Sequence, residues 1–178
     1  MVVFNGYSSI LARCARLSIE PTQHAIHVSL GEKKLRHFLN GALVRTYDTA
    51  FGINPPSCVE NSLGTPTGLH FIDEKIGDGA PEGMVFIGRI PTGKRYWEYG
   101  PEEKRNFVTT RILWLRGLEP GHNAGPGCDS HDRYIYIHGT NLEADFANAR
   151  SHGCVLLRNA EMIDFYNAVP SGTLVLIE

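Results

Sequence analysis

The sequence predicts a mostly β fold, a β-sandwich or mixed sheet with one short C-terminal helix and long loops. Nineteen glycines and ten prolines among 178 residues favour many turns. Several segments alternate apolar and polar residues with the two-residue period of a half-buried strand. A helical apolar stripe is clear in one place, at about 160–168. Together these observations favour short strands over long helices.

The first predicted element is a three-stranded meander over about 24–52. Ile26 and Val28 alternate with Ala25 and His27, as in a strand with one buried face. Asn40-Gly41 then marks a hairpin, because both residues tolerate the positive φ of a type I′ turn.

Further strands and one helix follow. The predicted strands cover about 64–73, 84–90, 109–117, 133–139, 155–157 and 173–177. Two long segments, 91–106 and 117–132, are predicted to be exposed loops, which in a compact domain are usually functional or mobile. Asn159 is the expected N-cap of the helix, which ends at Pro170-Ser171-Gly172.

Length and composition indicate a soluble globular protein with one domain over 1–178, its core at about 24–178. A net charge of −2 gives no reason to expect nucleic acid as a partner. No segment has the ~20 apolar residues that cross a bilayer, so no membrane insertion is expected. The N-terminus lacks the basic start of a secretory signal, which predicts a cytoplasmic location. A periplasmic or cell-wall location is expected if the chain is part of a longer exported one.

Four cysteines, Cys14, Cys58, Cys128 and Cys154, are widely spaced and contain no C-x-x-C pair. A chain of this length can bury a core without covalent cross-links, and cytoplasmic thiols stay reduced. All four are therefore predicted to be free thiols, as a nucleophilic cysteine must be.

The stretch "YIYIHGTNLEADFANARSHGCVLLRN" (134–159) carries the chemistry. His138 is expected at the end of a strand, and Cys154 at the start of another. Two neighbouring strands would place a thiol beside a base that can deprotonate it. Gly153 permits a tight turn, whose N–H groups could stabilise a tetrahedral oxyanion by roughly 2.7–4 kcal/mol per donor.

A zinc site is the alternative reading of the same region. Five residues supply zinc-type ligands: Cys128, His131, His138, His152 and Cys154. Their spacing does not form the usual pairs of closely spaced ligands, however, and Cys128 lies in a Gly- and Pro-rich segment. We therefore expect neither a metal nor a cofactor.

The run Ser151-His152-Gly153-Cys154, preceded by a strand ending in His138-Gly139-Thr140, resembles the signature of the L,D-transpeptidase (YkuD-like) catalytic domain. "GTPTGLHFI" (64–72) and "GTLVLI" (172–177) are also similar to this family. The resemblance covers about 24–178 and implies the L,D-transpeptidase-like fold.

The resemblance also implies roles for the site residues. Cys154 would be the nucleophile and His138 the general base, with the backbone of Gly139 orienting the imidazole. Ser151 and His152 would shape the turn. The N–H groups of Gly153 and Cys154 would form the oxyanion hole.

By the same resemblance the substrates are peptidoglycan stem peptides (muropeptides). The enzyme would attack the L-centre carbonyl of the third stem residue and release D-alanine through a thioester. Carbapenem-type β-lactams would inhibit it. Hydrolysis, as an L,D-carboxypeptidase in muropeptide recycling, is the preferred outcome, because water is the main acceptor in the cytoplasm. Formation of 3-3 cross-links is the alternative.

Substrate contacts are expected from Tyr136, Thr140 and Arg158. The family usually has Arg or Asn where this chain has Leu156, which bears on recognition of the substrate carboxylate. Arg158, two positions further along, could supply part of that interaction. A non-catalytic wall-binding module is a third possibility, to which Leu156 is the one hint.

Overall fold

The computed structural model describes residues 5–100 and 102–178. Within these residues the chain forms two α-helices, α1 (Asn5–Leu17) and α2 (Asn159–Ala168), with 3-10 turns at Tyr96–Glu98 and Glu143–Asn148. The strands in chain order are β1 (His24–Ser29), β2 (Lys34–Leu39), β3 (Ala42–Asp48), β4 (Phe51–Gly52), β5 (Gly68–Ile76), β6 (Met84–Ile87), β7 (Ile90–Arg95), β8 (Val108–Gly117), β9 (Tyr136–Gly139), β10 (Arg150–Ser151), β11 (Val155–Leu157) and β12 (Leu174–Ile177).

Ten of these strands form one mixed sheet. Its main order is β11-β9-β8-β5-β12-β1-β2-β3, and β6 pairs with β7 and with the beginning of β8. The pairs β11/β9 and β12/β1 are parallel, whereas the other neighbours are antiparallel. The short strands β4 and β10 pair separately. The predicted mostly β mixed sheet is confirmed, and so is the meander at its start.

One face of the sheet packs against α2. Ile26 and Val28 of β1 are fully buried in a cluster with Met162 and Phe165 of the helix. Each such side chain contributes about 1.5–3 kcal/mol when it leaves water. The alternation in β1 therefore points its branched residues to this face, as the sequence predicts.

The opposite face packs against α1, a helix that the sequence analysis missed. Ile10 and Cys14 are buried there with Phe38 and Leu176. A helical signal was available, since residues 7, 10, 14 and 17 are spaced by three or four positions.

Glu119 ties α1 to the sheet. Its carboxylate accepts hydrogen bonds from Arg13 at 2.8 Å and Arg16 at 3.0 Å, and from the backbone N–H of Leu69 at 2.7 Å. Burial raises the pKa of the Glu119 carboxyl, but the Leu69 N–H and the Arg13 guanidinium outweigh this effect, so that the pKa is lowered. The 117–132 loop is thereby fixed to the α1 side of the sheet.

Several predicted boundaries need correction. Residues 90–95, which fall largely in the predicted 91–106 loop, form β7. Tyr134 has a φ of 56° and lies before β9, which begins at Tyr136. Arg158 rather than Asn159 is the N-cap of α2, and it makes no side-chain capping bond. In the part of the chain that the structure describes, no helix is long and apolar enough to span a membrane.

Candidate active site

Cys154 and His138 lie at neighbouring strand ends. The parallel register pairs Leu156 with His138, which puts Cys154 beside Tyr136. The backbone N–H of Tyr136 donates to Cys154 Sγ at 3.3 Å, and the thiol lies 3.5 Å from the carbonyl oxygen of Tyr134. His138 follows Tyr136 on the same face of β9, because side chains two apart share a face. Cys154 and His138 line one cleft of about 850 Å³.

The imidazole of His138 is held in one tautomer. Its Nδ1 lies 2.6 Å from the Gly139 carbonyl oxygen, which can only accept a hydrogen bond. Nδ1 therefore carries the proton, and Nε2 keeps the lone pair that a general base needs. Burial lowers the His138 pKa to about 4, although the bond to Gly139 raises it. The ring is neutral at pH 7.

The Cys154 thiol is also neutral at pH 7. Burial raises its pKa to about 11, against the opposing effects of the Tyr136 N–H and the positive charge of Arg133. Both shifts favour an uncharged thiol and an uncharged imidazole over a thiolate–imidazolium pair. An uncharged thiol can still transfer its proton to an uncharged imidazole at the moment of attack.

Ser151 organises the turn that carries the thiol. Its hydroxyl donates to the Cys154 carbonyl at 2.6 Å and accepts from the Gly153 N–H at 3.1 Å. Gly153 has a φ of 124°, and a Cβ there would lie 3.0 Å from the Gly64 carbonyl oxygen. Only glycine fits this position without strain. The Gly153 N–H is already engaged, so in this conformation it does not point freely at a ligand.

The Asn159 side chain supports the end of β9, the strand that carries His138. This role was not predicted from the sequence. Its Oδ1 accepts from the hydroxyls of Thr109 at 2.6 Å and Thr110, while its Nδ2 donates to the Thr140 carbonyl at 2.8 Å. A Cβ on Gly139 would lie 2.5 Å from Asn159 Oδ1. The glycine in His138-Gly139 therefore lets β9 lie directly on this buried amide.

Four of the candidate catalytic residues line the cleft: His138, Ser151, His152 and Cys154. Gly139 and Gly153 act through their backbone, as described above. The other lining residues are Glu103, Lys104, Arg105, Asn106, Val108, Leu142, Asn148 and Arg150. Part of the 91–106 segment thus forms a wall, whereas no residue of 117–132 lines this cleft.

The three expected substrate-contact residues lie outside the cleft lining. The Tyr136 hydroxyl accepts a hydrogen bond from Arg89 at 3.2 Å. Thr140 is fully buried and donates to Asn106 at 2.9 Å. Arg158 pairs with Asp48 at 3.4 Å and covers the ring of Phe146. These residues are engaged with the protein itself.

Leu156 is fully buried against Ala50, Phe146 and Ala149. A core contact thus replaces the polar residue usual in the family, and the basic side chains of the cleft come from elsewhere. Lys104, Arg105 and Arg150 line it. The contribution of Lys104 and Arg105 was not apparent from the sequence, because the 104–105 segment is distant from the motif.

The ligands of the zinc alternative are not brought together. Among the described residues, the one grouping with metal-ligand geometry is Asp73, Glu74 and His131. His131 stacks on Trp114 with ring centroids 3.9 Å apart, and the Cys128 thiol contacts the carbonyl oxygen of Ala124 at 3.5 Å. All four cysteines are free, as predicted.

Comparison with known proteins defines the class. The family model for the L,D-transpeptidase catalytic domain matches residues 23–177. The chain belongs to this family. No curated protein is significantly similar to it in sequence.

Solved L,D-transpeptidases share the fold. A mutant of the Enterococcus faecium enzyme is 16% identical with a TM-score of 0.54, over 89% of this chain and 50% of that one. The Mycobacterium smegmatis enzyme is 16% identical with a TM-score of 0.53, over 88% and 58%. L,D-transpeptidase 3 of Mycobacterium tuberculosis, solved with a faropenem-derived adduct, is 16% identical with a TM-score of 0.50, over 88% and 60%. The chain thus spans 50–60% of the length of these three structures.

Proposed function

We propose that this protein is a cysteine acyl-transfer enzyme that acts on peptidoglycan stem peptides, with Cys154 as nucleophile and His138 as general base. The observation that carries the proposal is the shared cleft, in which a thiol and an imidazole with a fixed tautomer lie on neighbouring strand ends. Membership of the L,D-transpeptidase family supplies the reaction class. Residues 1–178, with a core at about 24–178, are proposed to act as one catalytic domain.

The first step begins from neutral groups. As Cys154 Sγ attacks the L-centre carbonyl of the third stem residue, its proton passes to Nε2 of His138. The carbonyl oxygen becomes an oxyanion, and we propose that the Cys154 N–H stabilises it. The Gly153 N–H would join only if it leaves the Ser151 hydroxyl. The imidazolium then returns its proton to the departing amine, so that D-alanine leaves and a thioester remains.

The second step decides between two products. Water attacking the thioester gives a tripeptide, and an amine of another stem gives a 3-3 cross-link. A second cleft shares Arg150 with the first and has a volume of about 180 Å³ for an acceptor. This is less than the 300–1,000 Å³ typical of ligand pockets. We propose hydrolysis, which needs no bound acceptor, as the preferred outcome. A cytoplasmic location, where water is the main acceptor, agrees with this outcome and is tested by cell fractionation.

Recognition of the stem peptide is assigned to the basic wall of the cleft. A stem peptide carries free carboxylates, and Lys104, Arg105 and Arg150 line the same cleft as Cys154. Arg105 is paired with Glu103 at 2.6 Å, so a substrate carboxylate would have to displace that partner. Arginine binds carboxylates well because its planar group donates two parallel hydrogen bonds. We propose that this wall replaces the interaction lost at Leu156. Carbapenem-type β-lactams should acylate Cys154, in line with the faropenem-derived adduct of the Mycobacterium tuberculosis relative.

The test is a product assay. The protein is incubated with a disaccharide-tetrapeptide, and the products are followed by mass spectrometry. The parent should release tripeptide and D-alanine. Cys154→Ser and His138→Asn should each lose at least ~100-fold in kcat, because the nucleophile and the base act as a unit. Cys128→Ser, which removes a thiol outside the cleft lining, should retain parental activity.

Other outcomes of the assay have defined meanings. Peptide dimers in place of tripeptide would establish the cross-linking alternative. No turnover by the parent, together with equal tetrapeptide binding by the parent and Cys154→Ala, would contradict the proposal and favour a wall-binding module.

A further inference from the structure

Arg133 connects a distant loop to the turn that carries the nucleophile. It lies just before β9, and its guanidinium donates three hydrogen bonds to the 57–64 loop. The acceptors are the carbonyls of Ser57 at 3.0 Å and Gly64 at 2.8 Å and the hydroxyl of Ser62 at 3.3 Å. The loop accordingly has a fixed position relative to β9.

The same guanidinium lies against the catalytic turn. A Cβ on Gly153 would be 3.6 Å from Arg133 Nη2 and 3.0 Å from the Gly64 carbonyl oxygen. The loop, the arginine and the glycine turn thus pack in direct succession. Any shift of Arg133 changes the surface on which Gly153 and Cys154 rest.

Arg133 is surrounded mainly by thiols and a carboxylate. The groups that interact electrostatically with Arg133 include the thiols of Cys58, Cys128 and Cys154, the carboxylate of Glu60 and the imidazole of His70. Burial lowers the pKa of Arg133, but an arginine remains protonated at physiological pH. Around Cys154, Arg133 is the cation that favours the sulfur anion, while the Tyr136 hydroxyl and the buried, neutral His138 add no positive charge.

We propose that Arg133 is a positioning residue for the proposed acyl transfer: it fixes the Gly153 turn against the 57–64 loop and places a permanent positive charge beside the Cys154 sulfur. The inference rests on the proposed function, in which negative charge develops on that sulfur as its proton leaves. A partly desolvated cation is more effective there than one in water, because the local dielectric constant is lower. Arg133 would not touch the substrate.

The test measures Cys154 reactivity without any muropeptide. The full chain is treated with iodoacetamide between pH 6 and 10, and alkylation of Cys154 is followed by peptide mass spectrometry. Arg133→Met should raise the pKa of the Cys154 thiol by about one unit, which between pH 6 and 10 appears as a slower rate at every pH. At pH 8 the alkylation rate of Cys154 should fall about threefold. The smaller thiolate fraction lowers the rate, and the higher nucleophilicity of the more basic thiolate offsets part of that loss. Arg133→Lys, which keeps the charge but not the three guanidinium hydrogen bonds, should give a rate between those of the parent and Arg133→Met. Arg45→Met, a charge removal on the exposed strand β3, is the matched control and should change nothing.

A purely structural role predicts another pattern. If Arg133 only holds the loop, Arg133→Lys and Arg133→Met would change the Cys154 profile equally, which would overturn the proposal. An unchanged profile in Arg133→Met would overturn it as well. Because alkylation needs no substrate, these outcomes are independent of whether the parent turns over muropeptides, so failure of the function and failure of this inference can be told apart.

A second pair of variants keeps the test open if Arg133→Met does not fold. Ser62→Asp introduces a carboxylate next to the guanidinium, whereas Ser62→Asn has the same shape without charge. The account predicts slower alkylation of Cys154 in Ser62→Asp than in Ser62→Asn, by about threefold at pH 8. Equal rates in the two variants would contradict it.

Discussion

At the scale of single residues, the protonation states of Cys154 and His138 determine the chemistry. Burial raises the pKa of the thiol to about 11 and lowers that of the imidazole to about 4. Both shifts disfavour charge in the cleft. The reactive sulfur anion is therefore expected to form during attack, when substrate and proton acceptor are both in place.

This state predicts a steep pH dependence for the free enzyme. Alkylation of Cys154 by iodoacetamide should rise continuously from pH 7 to pH 10, by up to about tenfold per unit, because the thiolate fraction grows that fast below the thiol pKa. The rate is measured by peptide mass spectrometry. The partly exposed Cys58 in the same digest serves as an internal comparison. A plateau for Cys154 between pH 5 and pH 8 would instead reveal a preformed thiolate–imidazolium pair.

The sequence predicts the nucleophile and base but not the residues that support them. The Ser-His-Gly-Cys run is contiguous, so it is recognisable without a structure. Arg133 acts on residues 69 and 76 positions away, and Asn159 on Thr109, 50 positions away. Such contacts exist only after the sheet has formed. Arg158, predicted to reach substrate from its place in the strand, pairs with Asp48 because β11 ends at Leu157.

At the scale of elements, the start of α2 acts as a buried support for β8 and β9. The Asn159 side chain bonds to Thr109 of β8 and to Thr140, which directly follows β9, and its backbone N–H donates to Glu143 Oε1 at 2.6 Å. The sequence signal of an N-cap was read correctly as a helix start, yet the side chain serves the neighbouring strands instead of its own helix. Tertiary contacts outweighed the local capping preference.

Asn159→Ala should therefore be costly. It leaves the buried hydroxyls of Thr109 and Thr110 and the Thr140 carbonyl without this partner, for a loss of about 3 kcal/mol in the free energy of unfolding. Asn167→Ala, at an exposed position of α2, should change stability by no more than about 0.5 kcal/mol. Urea denaturation measures both. Equal small losses in the two variants would show that the Asn159 contacts add little.

The missed elements have physical explanations as well. Helix α1 opens with Asn, Gly and two serines among its first five residues, which are weak helix formers. Its stability comes instead from burial of Ile10 and Cys14 against the sheet. Strand β7 is exposed along its whole length and, among the described residues, pairs only with β6. Its sequence therefore lacks the apolar alternation that predicts a half-buried strand. The strands of the central sheet, with strong burial patterns, were the ones predicted well.

At the scale of the whole molecule, buried neutral histidines link stability to pH. The pKa values of His70 and His138 are both lowered to about 4 by burial, and burial lowers that of His37 too. In the unfolded chain a histidine titrates near 6.5. As the pH falls from 6.5 towards 4, the unfolded state thus binds protons that the folded state does not. Stability is lost in that window and is complete above it.

The prediction concerns the slope of stability against pH. Between pH 6 and pH 4.5 the free energy of unfolding of the parent should fall by about 1.4 kcal/mol per pH unit for each of His70 and His138. His70→Gln, which removes one of them away from the cleft, should reduce the slope by about that amount, whatever its stability at pH 7. Urea denaturation at several pH values gives the slope. An identical slope in parent and variant would show that His70 takes up a proton in the folded state.

At the scale of the fold, two strand ends meet at one cleft. The central proposal is that acyl transfer passes through the Cys154 sulfur there. The most direct measurement is the intact mass of the protein, quenched in acid during turnover of a disaccharide-tetrapeptide. The account predicts an increase equal to the substrate minus D-alanine, mapped to Cys154 and absent from Cys154→Ser. Turnover without any adduct on Cys154, or an adduct that persists in Cys154→Ser, would contradict it.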